Sequence, residues 1–157
     1  MRKLILAASL LGLCQSASAK LMTDKSGSFQ YEVPDGFVAK SQAGSTTAVS
    51  PDQKIIVSSL LAPAPAKTQS LTEIAKSYSA AQEKSGKIPQ RAGSVSLGGT
   101  EGMAIETLDK KGTNEYSFIT RGKKGLAIVV VEFRPPVKAN PSLFSQLVAR
   151  SFRWLEK

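Results

Sequence analysis

Apolar and polar residues alternate in the first clear element of the chain. Phe29, Tyr31 and Val33 are apolar, and the residues between them are polar. A period of two residues predicts a β-strand with one buried face. Two runs rich in β-branched residues, 46–50 and 54–61, follow after short turns and predict two more strands. The domain is therefore predicted to open on an antiparallel meander.

A helical period begins near residue 70. The segment 70–73 has the form of a capping box, in which the Ser70 hydroxyl accepts a hydrogen bond from a first-turn amide and the Glu73 carboxylate accepts one from the Ser70 amide. Apolar side chains then recur at intervals of three and four residues, which predicts a helix with one face against the sheet. Those side chains are Leu71, Ile74, Ala75, Tyr78 and Ala81. Gly86 is placed to end the helix in a left-handed conformation.

After Pro89 the strand period returns. Four runs separated by short turns predict a second antiparallel meander of consecutive hairpins. The runs are residues 91–97, 102–108, 115–121 and 125–133. The segment 126–131 is apolar at every position, so we expect this strand to be covered on both faces.

A second helix closes the pattern. Asn140 and Pro141 supply an N-cap and a proline at the first helical position, and apolar residues at helical spacing continue toward Trp154. One helix on each face of the sheet is the simplest arrangement that covers the apolar strand on both sides. The predicted fold class is therefore α+β, with an antiparallel β-sheet flanked by helices on both faces in an α/β/α sandwich.

The first nineteen residues have the pattern of a secretory signal peptide. Two basic residues precede an apolar run over 4–13, and residues 17–19 offer a small-residue cleavage site. We therefore expect a signal peptide over 1–19 and a single exported domain over 20–157, periplasmic or secreted. The apolar run is shorter than the roughly twenty residues that cross a bilayer, and no later segment is longer, so no transmembrane segment is predicted in the mature chain.

A second interpretation of the leader makes Cys14 the lipid-anchored first residue of the mature protein. Leu13 would then precede the cleavage point, where signal peptidases prefer a small side chain. The alanine-serine-alanine site at 17–19 favours the first interpretation. Cleavage there removes Cys14, the one cysteine of the chain, and lowers the net charge from +9 to +7 because Arg2 and Lys3 are lost.

The chain contains no histidine, and its mature part would contain no cysteine. These compositions exclude the usual zinc sites, thiol nucleophiles and serine–histidine catalysis. Ser77 follows Lys76, but neighbouring positions on a helix do not face each other, so the pair lacks the geometry of a serine–lysine dyad. No catalytic residue, metal ligand or cofactor is therefore predicted.

Carboxylate pairs are the catalytic arrangement that the composition leaves open. Glu101 and Glu106 flank a predicted strand, and Glu106 and Glu132 are candidates for neighbouring strands. Such a pair would indicate a hydrolase that acts on a cell-wall polymer or polysaccharide. Acids are few, aromatic residues make up 6% of the chain, and the lone Trp154 is better placed for packing than for sugar stacking. The hydrolase is therefore the second hypothesis.

Basic residues are the remaining functional signal. Successive turns of the predicted meander lie at opposite ends of the sheet, so the cations divide into two clusters about 20 Å apart. The candidate partner-binding residues are Lys110, Lys111, Arg134 and Lys138 in the first basic cluster and Arg121, Lys123 and Lys124 in the second. Two small clusters favour contact with a protein, an anionic lipid or a wall polymer over the continuous track that nucleic acid requires.

Three segments carry a family resemblance. They are residues 29–37 (FQYEVPDGF), 98–102 (GGTEG) and 151–154 (SFRW). Together with the predicted order of elements, they resemble the PsbP-like superfamily, which includes photosystem II extrinsic proteins and periplasmic or lipoprotein relatives in bacteria. The resemblance implies an α/β/α sandwich and a binding or assembly role, and it implies no reaction. The leading hypothesis is an exported, non-enzymatic binding or accessory module. It would use its sheet edge, hairpin tips or a groove beside a helix to contact an envelope protein or another anionic envelope component.

Overall fold

The computed structural model describes residues 18–42, 44–64, 66 and 68–155. Most of the predicted signal peptide, with Cys14, lies outside these residues. Ala19 belongs to the first strand of the fold, where it is the register partner of Pro34. The Ser18 carbonyl accepts a hydrogen bond from the Asp35 amide at 3.0 Å.

The described residues form two antiparallel sheets and two helices. The strands are β1 (Ala19–Thr23), β2 (Phe29–Pro34), β3 (Val38–Gln42), β4 (Ser45–Val49), β5 (Ile55–Ala62), β6 (Ile88–Leu97), β7 (Thr100–Leu108), β8 (Asn114–Arg121), β9 (Leu126–Phe133) and β10 (Arg153–Trp154). The helices are α1 (Leu71–Lys84) and α2 (Pro141–Ser151). In this part of the chain, the large sheet has the order β3-β4-β5-β9-β8-β7-β6 and the small sheet has the order β1-β2-β10.

The second predicted meander is confirmed. Strands β6, β7, β8 and β9 are neighbours in the large sheet, and each consecutive pair is antiparallel. The all-apolar run is β9, which lies at the centre of the sheet. It pairs with β8 on one side and with the whole length of β5 on the other, which joins the two halves of the chain.

The first predicted meander was wrong in the partner of one strand, and it lacked the strands β1 and β3. The run at 29–33 forms β2, which pairs with β1 and β10 instead of with the strands that follow it. Phe29, Tyr31 and Val33 are fully buried, as the alternation predicted, but they pack across onto the large sheet. The Tyr31 hydroxyl donates to Ser59 Oγ on β5 at 3.1 Å. A period of two residues identifies the buried face of a strand, and it does not identify the strand's partner.

The chain also reverses earlier than the helical pattern predicted. Helix α2 ends at Ser151, and Trp154 lies in β10, which is antiparallel to β2. The Trp154 ring packs on Phe29 and Phe152 with centroid distances of 5.6 Å, which agrees with its predicted packing role. The structure has two sheets where the sequence predicted one, because β2 pairs with β1 and β10 and not with a strand of the large sheet.

The buried apolar side chains form two clusters. The larger cluster includes residues of β2, of α2 and of the large sheet, such as Tyr31, Val131 and Phe144. The smaller cluster holds the α1 residues Ile74 and Ala75 together with Met103, Ile105, Ile119 and Leu126. On β7, Ala104 packs against the larger cluster and Ile105 belongs to the smaller one, since alternate residues of a strand point to opposite faces.

The predicted capping box of α1 is present and gives a first prediction. Ser70 Oγ accepts from the Glu73 amide at 3.2 Å, and Glu73 Oε2 accepts from the Ser70 amide at 2.7 Å. We expect Ser70→Ala to lower the free energy of unfolding by about 1 kcal/mol, because a first-turn amide loses its acceptor. Urea unfolding measures this loss. Ser77→Ala is the control, since Ser77 is exposed within the same helix, and an equal loss in both variants would contradict the capping role.

Candidate functional site

A cleft of about 790 Å³ lies beside the edge strand β6. Its volume is typical of sites that bind small molecules or parts of larger partners. The lining residues are Gln90, Arg91, Ala92, Gly93, Ser94 and Val95 of β6, Ala104, Glu106 and Leu108 of β7, Asn114 and Tyr116 of β8, and Ser142 of α2. We call this the β6 cleft. It runs over consecutive residues of one strand, so the backbone of β6 borders it. The side chains of Arg91 and Val95 lie on the same face as Glu106, whereas Ser94 lies on the opposite face, where its hydroxyl contacts Met103 Sδ.

Glu106 is the acid of the β6 cleft, and the neighbouring strand holds it in place. Its Oε1 accepts a hydrogen bond from the Tyr116 hydroxyl at 3.0 Å and another from Asn114 Nδ2 at 3.1 Å. Tyr116 is the register partner of Glu106 on β8, which explains the contact. Burial raises the pKa of Tyr116, and the Glu106 carboxylate raises it further, so the phenol stays protonated as the donor at neutral pH.

Two oxygen acceptors of the β6 cleft remain without a donor. Glu106 Oε2 makes no hydrogen bond within the part of the chain that the structure describes. Asn114 Oδ1 is buried and also has no hydrogen-bond partner there. A buried acceptor without a partner, such as Asn114 Oδ1, costs free energy. Because the Glu106 carboxylate next to it is negatively charged, a positively charged hydrogen-bond donor would be bound favourably here.

Arg91 does not neutralise Glu106. The two are register partners on β6 and β7, yet no ion pair joins them, and the Arg91 side chain makes no hydrogen bond to any described residue. Its charge does act on the neighbouring Tyr116, whose pKa it lowers against the larger effects of burial and of Glu106. Arg91 is exposed at the rim of the β6 cleft. The cleft therefore presents one unpaired guanidinium and one carboxylate with a free oxygen.

Small residues form the floor of the β6 cleft. Gly93 and Ala104 are register partners at its centre. A methyl group added at Gly93 would meet no atom within 4 Å, so the space above this residue is open. A glycine within a strand often marks a place where another backbone or a ligand approaches closely.

Strand β6 is an exposed edge of the large sheet. It pairs with β7 alone, and of its ten residues only Leu97 is buried. Pro89 and the irregular register between Pro89 and Arg91 protect one end of this edge, because proline lacks a backbone donor. Residues 91–96 carry no such protection. Within the described chain they leave a row of backbone groups without a neighbouring strand.

The residues of the first basic cluster lie at the end of the sheet where β7 and β9 terminate. Lys110 and Lys111 are in the turn after β7, and Arg134 and Lys138 follow β9. A smaller cleft of about 460 Å³ brings Lys111 and Arg134 together with Lys54 and two acids, Asp109 and Glu132. Arg134 Nε contacts Glu132 Oε1 at 2.5 Å. Lys110 and Lys138 do not line this cleft, so the cluster is looser than a single anion site requires.

The second basic cluster contains one cation with a structural role. Arg121 is half-buried, and its Nη2 donates to the Gln69 carbonyl at 2.5 Å, just ahead of α1. Lys123 and Lys124 are exposed in the turn between β8 and β9. Arg121 therefore secures the segment that enters α1, and two lysines are left at the surface of this end.

Glu106 and Glu132, the candidates for neighbouring strands, are not on neighbouring strands. Glu106 is on β7 and Glu132 is on β9, and β8 lies between them. The register places Glu132 opposite Glu115 and places Glu106 opposite Tyr116. Since neighbouring positions of β8 point to opposite faces, Glu106 and Glu132 are on different faces of the sheet and cannot flank one bond. The sequence pattern placed both acids on strands correctly, but it did not show that another strand lies between these two.

Glu115 is a buried acid that the sequence did not single out. It is 3% exposed, forms an ion pair with Lys87, and accepts hydrogen bonds from Gln82 Nε2 at 3.1 Å and Ser117 Oγ at 3.2 Å. These contacts join α1, the loop after it and β8. Glu115 is therefore saturated by its own chain and serves the packing of α1.

Two further findings concern the described residues alone. No group of three or more acidic, cysteine or histidine side chains is arranged to hold a metal ion among them. None of their helices combines the length and the apolar character that a bilayer-spanning helix needs.

Comparison by sequence gives no match, because no protein-family model and no curated protein matches the chain. Comparison with solved structures does give matches. Cyanobacterial PsbP (CyanoP) from Synechocystis sp. PCC 6803 superposes with a TM-score of 0.66 at 14% identity, over 94% of this chain and 97% of that one. The Saccharomyces cerevisiae Ran-binding protein Mog1p gives 0.58 at 13% identity, over 88% of this chain and 96% of that one.

A third structure, from Bacteroides thetaiotaomicron, has a TM-score of 0.56 at 15% identity and matches 88% of this chain and 49% of its own. At these identities the likeness concerns the fold. The chain has the PsbP-like fold, which is the fold that the resemblance of its sequence implied.

Proposed function

We propose that this protein is a non-enzymatic binding or accessory module that contacts another protein of the cell envelope. The observation that carries the proposal is the β6 cleft, which runs along an unpaired edge of the large sheet. Such an edge offers main-chain hydrogen bonds to a partner, and the cleft offers side-chain contacts next to them. One structure with this fold belongs to a Ran-binding protein, so protein binding is a function that the fold accommodates.

The placement of the acids supports binding over turnover. Hydrolysis of a glycosidic bond uses two carboxyl groups on either side of that bond. Glu106 has Tyr116 and Asn114 as its hydrogen-bond partners, Glu115 is paired with Lys87, and Glu132 contacts Arg134. Each of these three acids thus has a partner of its own, and the β6 cleft contains only Glu106 among the described acids.

The proposal includes export and the layered arrangement of the domain. The leader pattern supports cleavage after Ala19 and release of a domain over 20–157 into the periplasm or the medium, with lipid anchoring at Cys14 as the alternative. The separate core clusters of α1 and α2 support helices on opposite faces of the large sheet. In this arrangement the β6 edge stays open between the two helices.

The basic clusters are proposed as secondary contacts with an acidic region of the same partner. Lys110 and Lys111 of the first cluster and Lys123 and Lys124 of the second are exposed at opposite ends of the large sheet. Exposed charges act over about 8 Å at physiological ionic strength, so each cluster would strengthen binding only where it touches the partner. Anionic lipid and wall polymer are the other surfaces that these lysines could contact.

Photo-cross-linking in the producing cells tests the proposed function. A benzophenone amino acid at Ser94, which is exposed on the edge strand beside the β6 cleft, is expected to give one defined product with an envelope protein after irradiation. The same amino acid at Ser77, exposed on α1, is the matched control and is expected to give none. Equal products from both positions, no product from Ser94, or turnover of a wall polymer by the purified protein would contradict the proposal.

Charge reversal tests the secondary contacts in the same cells. Two double variants reverse the charge of one cluster each: Lys110→Glu with Lys111→Glu, and Lys123→Glu with Lys124→Glu. The double variant of the cluster that touches the partner should reduce the yield of the Ser94 cross-linked product. The expected reduction is several-fold, because a rim charge contributes mainly to the rate of association. Unchanged yields in both double variants would remove the basic clusters from the binding surface.

A further inference from the structure

We propose that the partner segment which occupies the β6 cleft is an extended strand added to β6, and that it places a lysine or arginine side chain on Glu106. This inference rests on the proposed function and names the chemistry of the partner. Its three supports are the free backbone edge of β6, the open space over Gly93, and the unpaired acceptors beside Glu106.

The shape of the cleft fits a strand. Six consecutive residues of β6, from Gln90 to Val95, line it, so the cleft follows the direction of the chain for roughly 20 Å. A compact ligand would need walls on several sides, whereas one continuous backbone edge matches the repeat of a second backbone. The register irregularity after Pro89 sets one end of the usable edge, and the buried Leu97 sets the other.

Because Gly93 has no side chain beyond hydrogen, a passage leads from the edge of β6 to the Glu106 carboxylate. An added strand would lie about 4.8 Å from β6 and therefore roughly 10 Å from β7. A long basic side chain, together with the side chain of Glu106, can span that distance. Gly93 and its register partner Ala104 are the residues that such a side chain would cross, and the space over Gly93 is empty to 4 Å.

The unpaired acceptors of Glu106 and Asn114 favour a positively charged side chain as the ligand. Glu106 Oε2 and Asn114 Oδ1 have no donor among the described residues, and Arg91 leaves the carboxylate without an ion pair. A lysine ammonium carries three donors and an arginine guanidinium carries five, so either can serve both oxygens and balance the charge. An apolar or acidic side chain at the same place would leave both acceptors unpaired.

Binding of synthetic peptides tests this inference. The probes are three heptapeptides, blocked at both ends, with alternating threonine and valine and with lysine, norleucine or glutamate at the centre. The purified protein is expected to bind the lysine peptide about tenfold more tightly than the norleucine peptide, and the glutamate peptide more weakly than either. Equal affinities for the lysine and norleucine peptides would overturn the inference.

Variants of the cleft locate the contact. Glu106→Gln should abolish the preference for lysine over norleucine and leave the norleucine affinity unchanged. Gly93→Val should weaken the lysine peptide by about tenfold, because its side chain enters the passage from a Cβ position that meets no other atom within 4 Å. Ser96→Val is the matched control, since Ser96 is exposed on the same strand and does not line the cleft. Loss of the lysine preference in Ser96→Val, or its survival in Glu106→Gln, would contradict the assignment.

The same binding experiment also distinguishes two other occupants of the β6 cleft, a compact ligand and a second copy of this chain. If Nα-acetyl-lysine amide binds as tightly as the lysine peptide, the cleft is a site for a compact ligand and the strand proposal fails. If the protein self-associates and the peptide has to displace a second copy, the occupant is that copy and the proposal also fails. A Ser94 cross-link in cells without any lysine preference would leave the proposed function standing and would overturn only this inference.

Discussion

Gly98→Ala is expected to destabilise the protein by about 3–5 kcal/mol, the range reached when a substitution forces packed backbones apart. A methyl group at this position would lie 1.6 Å from the Phe152 carbonyl oxygen and 2.8 Å from its carbon. The Gly98 amide also donates to the Ala149 carbonyl at 3.1 Å. The turn between β6 and β7 therefore touches the end of α2 directly, and the Phe152 backbone cannot move without disturbing β10.

Gly99→Ala separates this contact from the conformational cost of the same turn. Both glycines have positive φ, +56° at Gly98 and +87° at Gly99, but a methyl group at Gly99 would meet nothing within 4 Å. The Gly99 variant should therefore lose only about 1–2 kcal/mol, the cost of a left-handed conformation. Urea unfolding of the two variants measures the difference. Equal losses would show that the close approach of Gly98 to Phe152 does not exist in solution.

Alkaline pH is expected to weaken the fold through Tyr31. Burial raises the pKa of Tyr31 from 10.0 to about 12, and the hydrogen bond to Ser59 offsets only part of that rise. Between these two values the unfolded chain loses the phenolic proton and the folded chain keeps it. The stability that this group contributes is therefore complete below pH 10 and falls as the pH rises toward 12, by roughly 3 kcal/mol in total.

Tyr31→Phe isolates this effect. At about pH 8 the variant should be less stable by roughly 1 kcal/mol, because Ser59 Oγ loses its donor. Above pH 10 the variant should lose less stability than the unmodified protein, so that the two curves cross. Urea unfolding at a series of pH values measures both curves. Parallel curves would mean that the Tyr31 hydroxyl is accessible to water and that the small sheet does not seal the core as described.

Local patterns predicted the elements of this fold well, and they predicted its pairing less well. The capping box at Ser70 and the proline start of α2 act within a few residues, so the sequence carries their whole signal. The hairpins from β6 to β9 are local too. The small sheet is different, because β2 and β10 are separated by more than a hundred residues and Arg153–Trp154 is too short to show a period.

The candidate site shows the same division. Sequence reasoning located the basic residues in turns, and the structure places them at two ends of the large sheet. It did not find the β6 cleft, whose Arg91, Glu106 and Tyr116 come from three strands and meet only through their register. Gly93 within a strand was the one local signal of that cleft. Its meaning depends on Ala104 across the sheet, which no pattern along one strand reveals.

Hydrogen exchange at β6 is the most direct test of the claim that a partner docks on this edge. The protein is measured alone, with the central-lysine peptide, and with the envelope protein captured through Ser94. We expect the backbone amides between Arg91 and Ser96 that are not bonded to β7 to exchange quickly in the free protein and to become protected in both complexes. Protection confined to residues 110–111 or 123–124, with β6 still exchanging freely, would contradict it.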